Sequence, residues 1–159
     1  EASTGSLGEG LSAGIGMALA ARLDRRDYRT YVLLGDGEIQ EGQIWEAAMF
    51  ASFHKVDNIC AIVDYNKIQL DGFVKDIMDL EPLVPKWQAF GWHVIELDGH
   101  DIPALQGAFA EAASVKGKPT VIIAHTVKGK GVSFMENNPK YHGVAPTPEE
   151  VELALKELA

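Results

Sequence analysis

The sequence predicts an α/β fold, a parallel sheet sandwiched by helices. Four short apolar runs, at 31–34, 58–64, 93–97 and 120–125, are rich in Val, Ile or Leu. They are apolar on both faces, as strands covered from both sides are. Helical patterns lie between them, and alternating helix and strand implies parallel strands joined by right-handed crossovers. Asp36, Asn66, Gly99 and Lys128 each fall just past the end of a run. They therefore gather at the carboxyl edge of the sheet, where such folds bind ligands.

Each element has its own signal. A first helix over 11–23 places Leu11, Ile15, Leu19 and Leu23 at every fourth position. Just before it, Gly8-x-Gly10-x-x-Ala13 matches the dinucleotide fingerprint in form, but residues 1–7 are small and polar and provide no preceding strand. These glycines fit better with a backbone loop approaching a ligand and with close helix packing. After the first strand come the turn Gly35-Asp36-Gly37, a helix over 43–53, and the second strand, ending in Asp64-Tyr65-Asn66. Residues 69–83 lack periodicity and read as a long loop, with a helix around 86–90 after it. A helix over 102–115 sets Leu105 and Phe109 among alanines. Residues 128–144 are rich in Gly, Asn and Lys and read as an ordered loop or a flexible tail. The last helix, over 149–158 within the segment 146–159, has Thr147 as N-cap, Pro148 at its first position and glutamates in its first turn. The whole of 1–159 reads as a single domain. Because it starts at Glu1 and meets a Gly-rich segment at once, it is expected to be incomplete at its N-terminus, whereas its end reads as natural.

Composition narrows the function classes. A length of 159 residues at 47% hydrophobic content suffices for one core. A formal charge of -9 argues against a nucleic-acid surface. An anionic cofactor stays compatible where a metal and backbone N–H groups act locally. The single cysteine, Cys60, excludes an internal disulfide, and within its apolar run it reads as a buried structural thiol. No apolar stretch approaches the ~20 residues of a membrane span, and no leader pattern is visible. The expectation is a soluble, cytoplasmic protein with no membrane association. His54, His93, His100 and His125 lack metal-ligand spacing, so zinc is not expected.

Asp36 and Asn66 are hard oxygen donors thirty positions apart, at the ends of two expected neighbouring strands. Such a pair suits Mg²⁺ or Ca²⁺ carrying a phosphate group. Gly37 has no side chain to block that phosphate, and its N–H opens a helical segment whose start favours anions. Taken singly, Asp36 also fits a helix cap and Asn66 a turn. Glu41 and Glu46, five apart, fit a solvated helix face. Lys128-Gly129-Lys130-Gly131 fits an exposed basic loop, and His142 stands as a lone histidine.

Gly35-Asp36-Gly37, separated by 28 residues (38 to 65) from Asn66, resembles the thiamin-diphosphate motif, and it has the strand contexts that motif needs. Within that group the chain is similar to transketolase. The similarity runs through Thr4-Gly5-Ser6-Leu7-Gly8-Glu9-Gly10, Gly35-Asp36-Gly37-Glu38 with Glu41-Gly42, Trp45-Glu46-Ala47 and Asp57-Asn58. It continues through Ala89-Phe90-Gly91-Trp92, Asp98-Gly99-His100, Lys128-Gly129-Lys130-Gly131 and Tyr141-His142-Gly143. It covers nearly the whole chain in order.

The resemblance implies a thiamin-diphosphate-binding fold and the transfer of a two-carbon ketol unit from a ketose phosphate to an aldose phosphate. It implies thiamin diphosphate with Mg²⁺ (Ca²⁺ able to substitute), Asp36 and Asn66 binding the metal through side chains and Ile68 through its carbonyl. Gly37 N–H would touch the diphosphate, and Gly5, Ser6 and Leu7 would line the cofactor. Lys128 and His142 would reach the diphosphate and the reacting carbonyl or substrate hydroxyls as catalytic groups. Glu41 and Glu46 would sit at a dimer interface and couple two cofactor sites. The glutamate that activates the aminopyrimidine belongs, in this family, to a pyrimidine-binding domain outside this chain. The expectation is therefore the small subunit of a split transketolase, shortened at its N-terminus. It would work with a large subunit in a homodimer or heterotetramer, and alone would bind cofactor weakly or not at all. Two alternatives stay open. One is another thiamin-diphosphate component of deoxyxylulose-phosphate synthase or 2-oxoacid dehydrogenase type, which the Lys128 and His142 segments disfavour. The other is a non-catalytic module keeping the fold.

Overall fold

Short runs of Val, Ile and Leu favour strands, and all four expected runs form them in the structure, a computed structural model that describes residues 2–159. In chain order the elements are α1 (Glu9–Leu23), β1 (Thr30–Gly35), a 3-10 turn (Glu38–Gln40), α2 (Gly42–Phe53), β2 (Ile59–Tyr65), β3 (Ile68–Gln69) and β4 (Gly72–Phe73). There follow α3 (Val74–Ile77), α4 (Leu83–Ala89), β5 (His93–Asp98), α5 (Ile102–Ser114), β6 (Thr120–His125), a second 3-10 turn (Pro139–His142) and α6 (Pro148–Glu157). Position 1, where the expected domain begins, lies outside the described residues.

The main sheet has the order β1-β2-β6-β5, and every pairing is parallel. Its register sets Gly35 beside Asp64 and Tyr65 beside His125, so the strands exit at one level. On one face, α1, α2 and α4 pack over Val32, Leu34, Ala61, Val63, Val121 and Ile123. There the chain's three tryptophans meet, Trp45 and Trp92 each about 5 Å from Trp87 between ring centroids. The indole N–H of Trp92 donates to Ala48 O at 3.0 Å, which ties the β5 entry to α2. On the other face α5 alone covers Cys60, Ile62, Ile95 and Ile122.

This unequal cover corrects the expectation that every strand is buried on both faces. The central strands β2 and β6 are, but the edge strand β1 turns Tyr31 and Leu33 outward on the α5 side, Leu33 being 72% exposed. One helix is not wide enough to roof four strands. The fourfold leucine repeat of α1 also drifts off the core, because each step of four residues advances about 40° around the helix. Leu11 and Ile15 are buried, whereas Leu23 is 84% exposed; Ala18 and Ala21 take up the buried stripe.

The 69–83 stretch is not a plain loop. Leu70 and Asp71 turn the chain between β3 and β4, the short α3 follows, and Val74 N–H donates to Lys67 O at 3.0 Å. Strands of two residues are too short to leave a periodic signal. Residues 128–144 form an ordered loop closed by turn hydrogen bonds, with Asn137 N–H donating to Lys128 O at 3.0 Å and Val132 buried beneath. α6 begins on a reciprocal Thr147 and Glu150 capping box and is tied back to this loop. Glu157 accepts from the Ser133 hydroxyl at 2.7 Å, and Glu150 from the Tyr141 hydroxyl at 2.7 Å. Among the described residues no helix is long and apolar enough to cross a membrane.

Cys60 is fully buried, and burial pushes its thiol up to about 11. It should therefore resist a thiol-exchange reagent in the native protein at neutral pH and react stoichiometrically only once denatured. Fast native-state release of the coloured thiolate would contradict this placement.

Candidate functional site

β1 and β2 run side by side, so the residues just past their ends meet. Asp36 is only 2% exposed and Asn66 9%. A carboxylate so buried needs hydrogen-bond donors. Asp36 Oδ1 accepts from Gly37 N–H at 2.7 Å, and Oδ2 accepts from Lys67 N–H beyond β2. Burial nonetheless raises the Asp36 carboxyl above its ordinary range, with the charge of Asp64 adding to the effect. The two N–H donors and the charge of Lys128 oppose it. Asn66 Oδ1 accepts from Ile68 N–H at 3.0 Å, and its Nδ2 donates to Asp64 Oδ2 at 3.2 Å.

Gly37 faces the β3–β4 hairpin. A Cβ at this position would lie 2.9 Å from Gln69 Cβ, so contact with Gln69 alone requires glycine here. The Gly37 N–H expected at a diphosphate donates to Asp36 in this structure, and Gly37 opens the short 3-10 turn rather than α2, which begins at Gly42. The hairpin carries Ile68, which is buried, to the same place.

Gly5, Ser6 and Leu7 form an exposed segment leading into α1. It is anchored by Gln43, whose Nε2 donates to Leu7 O at 2.7 Å, and by Glu38. The Glu38 carboxylate accepts from Gly8 N–H and from Gly35 N–H, both at 3.0 Å, and so clips the start of α1 to the exit of β1. Gly8 has φ of 87°, and a Cβ there would meet Gln43 Cγ at 2.7 Å.

Lys128 is half-buried in the loop after β6, and its charge is felt at Asp36. The loop's start is held by His100, whose Nε2 accepts from Val127 N–H at 2.8 Å. His142 is exposed on the second 3-10 turn, which packs against β3. The Glu41 and Glu46 side chains make no hydrogen bond or ion pair with the described residues of this cluster: Glu41 stands at the N-cap position of α2 without a side-chain capping bond, and Glu46 lies on its outer face with the exposed Met49, Phe50 and Phe53. A cavity of about 550 Å³ opens beside Asn66, with Tyr65, Lys67, Thr126 and Asn137 among its walls.

Four residues of the arrangement escape a reading of the sequence alone: Glu38, Asp64, Gln69 and Thr126. Asp64 has a faint signal, as a carboxylate two positions before Asn66 at the end of the second expected strand. Glu38 stands in the sequence only as part of the family-like Gly35-Asp36-Gly37-Glu38 segment, with no sign of its role, because the Gly8 it holds is thirty residues away.

The donor set fits a hard divalent cation. Each Asp36 oxygen and Asn66 Oδ1 accepts one N–H, and a carboxylate or amide oxygen has two lone pairs, so each keeps one free. Ile68, whose N–H donates to Asn66 Oδ1, brings a further backbone carbonyl, the one the family resemblance would use. Such a set contains only one acidic residue, in keeping with there being no cluster of three or more His, Cys, Asp or Glu able to hold a metal among the described residues. Because Gln69 leaves no room, Gly37→Ala should lower stability by about 1–3 kcal/mol in urea unfolding, with partial recovery in the double variant with Gln69→Gly. Wild-type stability for Gly37→Ala would refute the steric account.

Comparison with known proteins gives the family and the fold. The family model described as "Transketolase, thiamine diphosphate binding domain" matches residues 1–159. The chain is 46% identical over 159 residues to an apulose-4-phosphate transketolase subunit of Phocaeicola vulgatus, covering 100% of this chain and 57% of that protein. It is 48% identical over 155 residues to the 6-deoxy-6-sulfo-D-fructose transketolase subunit SqwG of a Clostridium species, covering 98% and 56%. It thus spans little more than half the length of these curated relatives. The crystal structure of transketolase from Campylobacter jejuni superposes with a TM-score of 0.91 at 34% identity, over 97% of this chain and 25% of that one, so the fold is the α/β fold that binds thiamin diphosphate. Matched along its whole length, the chain belongs to the transketolase family, as its thiamine diphosphate binding domain.

Proposed function

We propose that this chain is the diphosphate- and metal-binding part of a transketolase that moves a two-carbon ketol unit from a ketose phosphate to an aldose phosphate. The burial of Asp36 and Asn66, two hard oxygen donors just past the ends of adjacent strands, carries this reading. Thiamin diphosphate, when bound, supplies the carbon nucleophile and electron sink for the transfer. The chain's own residues hold and orient it. Asp36, Asn66 and the Ile68 carbonyl would bind Mg²⁺ (or Ca²⁺), whose charge relieves the buried carboxylate and neutralises the diphosphate. Lys128 adds a second positive charge to the anion. His142, on an exposed turn, is available to hydrogen-bond the reacting carbonyl or substrate hydroxyls. Gly5, Ser6 and Leu7, braced by Glu38 and Gln43, form the wall along the rings.

The outer side of α2 fits contact with another subunit. Glu46 lies there among Met49, Phe50 and Phe53, the last 82% exposed, and Glu41 stands at the start of the same helix. Covering that apolar surface would bury the two carboxylates against a partner, where they can couple two cofactor sites. We assign the partner as a large transketolase subunit bearing the pyrimidine-binding half, in a cytoplasmic homodimer or heterotetramer acting on sugar phosphates of the pentose phosphate type. Two relatives named as transketolase subunits support a split arrangement.

Calorimetry with thiamin diphosphate and Mg²⁺ tests the reading, with this chain alone and with its partner. The assembled pair should bind cofactor only with a divalent cation present, and Asp36→Ala should abolish that metal-dependent binding. Undiminished affinity in Asp36→Ala would remove Asp36 from the site, and no binding by the assembled pair would refute the enzyme.

A further inference from the structure

Asp64 points its carboxylate at the residue that the cofactor reading makes a metal ligand, yet both of its oxygens are already engaged. Oδ1 accepts from the Thr126 hydroxyl beyond β6, and Oδ2 accepts from Asn66 Nδ2 at 3.2 Å. A carboxamide has an acceptor at one end and donors at the other, and the two ends are nearly the same shape. Rotated by half a turn, Asn66 would set its oxygen against the Asp64 carboxylate and its NH₂ against the Ile68 N–H. Both contacts would then be repulsive. Such an amide would also present hydrogens, not a lone pair, to a cation.

We propose that Asp64 is a positioning residue, which holds Asn66 Nδ2 so that Oδ1 is the atom offered to the metal, with Thr126 in turn holding Asp64. The inference rests on the metal-site reading above and adds to it a residue that touches neither metal nor cofactor. Thr126 lies two residues before Lys128, and its N–H donates to Tyr65 O at 3.3 Å. The same contacts therefore tie the Lys128-bearing exit of β6 to the Asn66-bearing exit of β2. Outer partners of metal ligands typically alter metal affinity by about 10–100-fold when removed.

Asp64 also brings negative charge near Asp36, so charge and orientation have to be separated. Asp64→Ala removes both. Asp64→Asn removes the charge but keeps an oxygen for Asn66 Nδ2, with its NH₂ turned to the Thr126 hydroxyl, which can accept. In the assembled enzyme with thiamin diphosphate, Mn²⁺ is titrated and the free ion followed by electron paramagnetic resonance. Asp64→Ala should raise half-saturation about 10–100-fold, and Asp64→Asn by well under tenfold. Thr126→Val keeps the shape of threonine and guards against a folding failure in Asp64→Ala; it should raise half-saturation severalfold. In ¹⁵N spectra both Asp64→Ala and Thr126→Val should move the Asn66 side-chain NH₂ resonances. Equal weakening in Asp64→Ala and Asp64→Asn would assign the effect to charge and overturn the proposal, as would wild-type affinity in Asp64→Ala and Thr126→Val. If wild type takes up no Mn²⁺, or Asp36→Ala takes it up undiminished, the metal-site reading itself fails. If Asp36→Ala loses Mn²⁺ while the Asp64 and Thr126 variants retain it, only the positioning role fails.

Discussion

One buried carboxylate joins the exits of β1 and β2. Asp36 leaves β1 and accepts from the Lys67 N–H just past β2, so two strands that are paired along their length are also locked where they end. A carboxylate at 2% exposure is costly to keep charged, and two backbone N–H groups only partly offset its lost hydration. The balance leaves Asp36 short of positive charge in a place with free oxygen lone pairs. The strand exits therefore differ from an ordinary turn: they hold a buried carboxylate whose charge is only partly compensated.

The remaining contacts of the site serve to hold backbone segments at that point. Gln69 presses the β3–β4 hairpin against Gly37, and Glu38 draws the start of α1 to Gly35. Thr126 and Asp64 connect the third exit to the second, and His100 steadies the chain between Thr126 and Lys128. α6 closes the arrangement from outside through Glu150 and Glu157. Side-chain carboxylates accepting from backbone N–H groups recur throughout, which suits loops that must be immobile without being buried in a core.

The covered and uncovered surfaces divide along the same axis. Three helices seal one face of the sheet around the tryptophan cluster, while the opposite face has α5 alone and the outer side of α2 keeps Met49, Phe50 and Phe53 in the open.

Much of this is legible from residues alone. The positions of the four main strands, the α/β class and the placing of Asp36 and Asn66 just past neighbouring strands follow from local hydrophobicity and from the alternation of strand and helix, and both are properties of short stretches of chain. The two-residue strands, the outward turn of Leu33 and Leu23, and the parts played by Glu38, Gln69, Asp64 and Thr126 are not. Each depends on which distant segment lies alongside: Gly8 for Glu38, Gly37 for Gln69, Asp64 for Thr126. Residue types alone say which side chains offer hard oxygen donors and which carry charge. Tertiary structure alone decided which atom of each faces the site, because orientation is set by hydrogen-bond partners that chain order does not bring together.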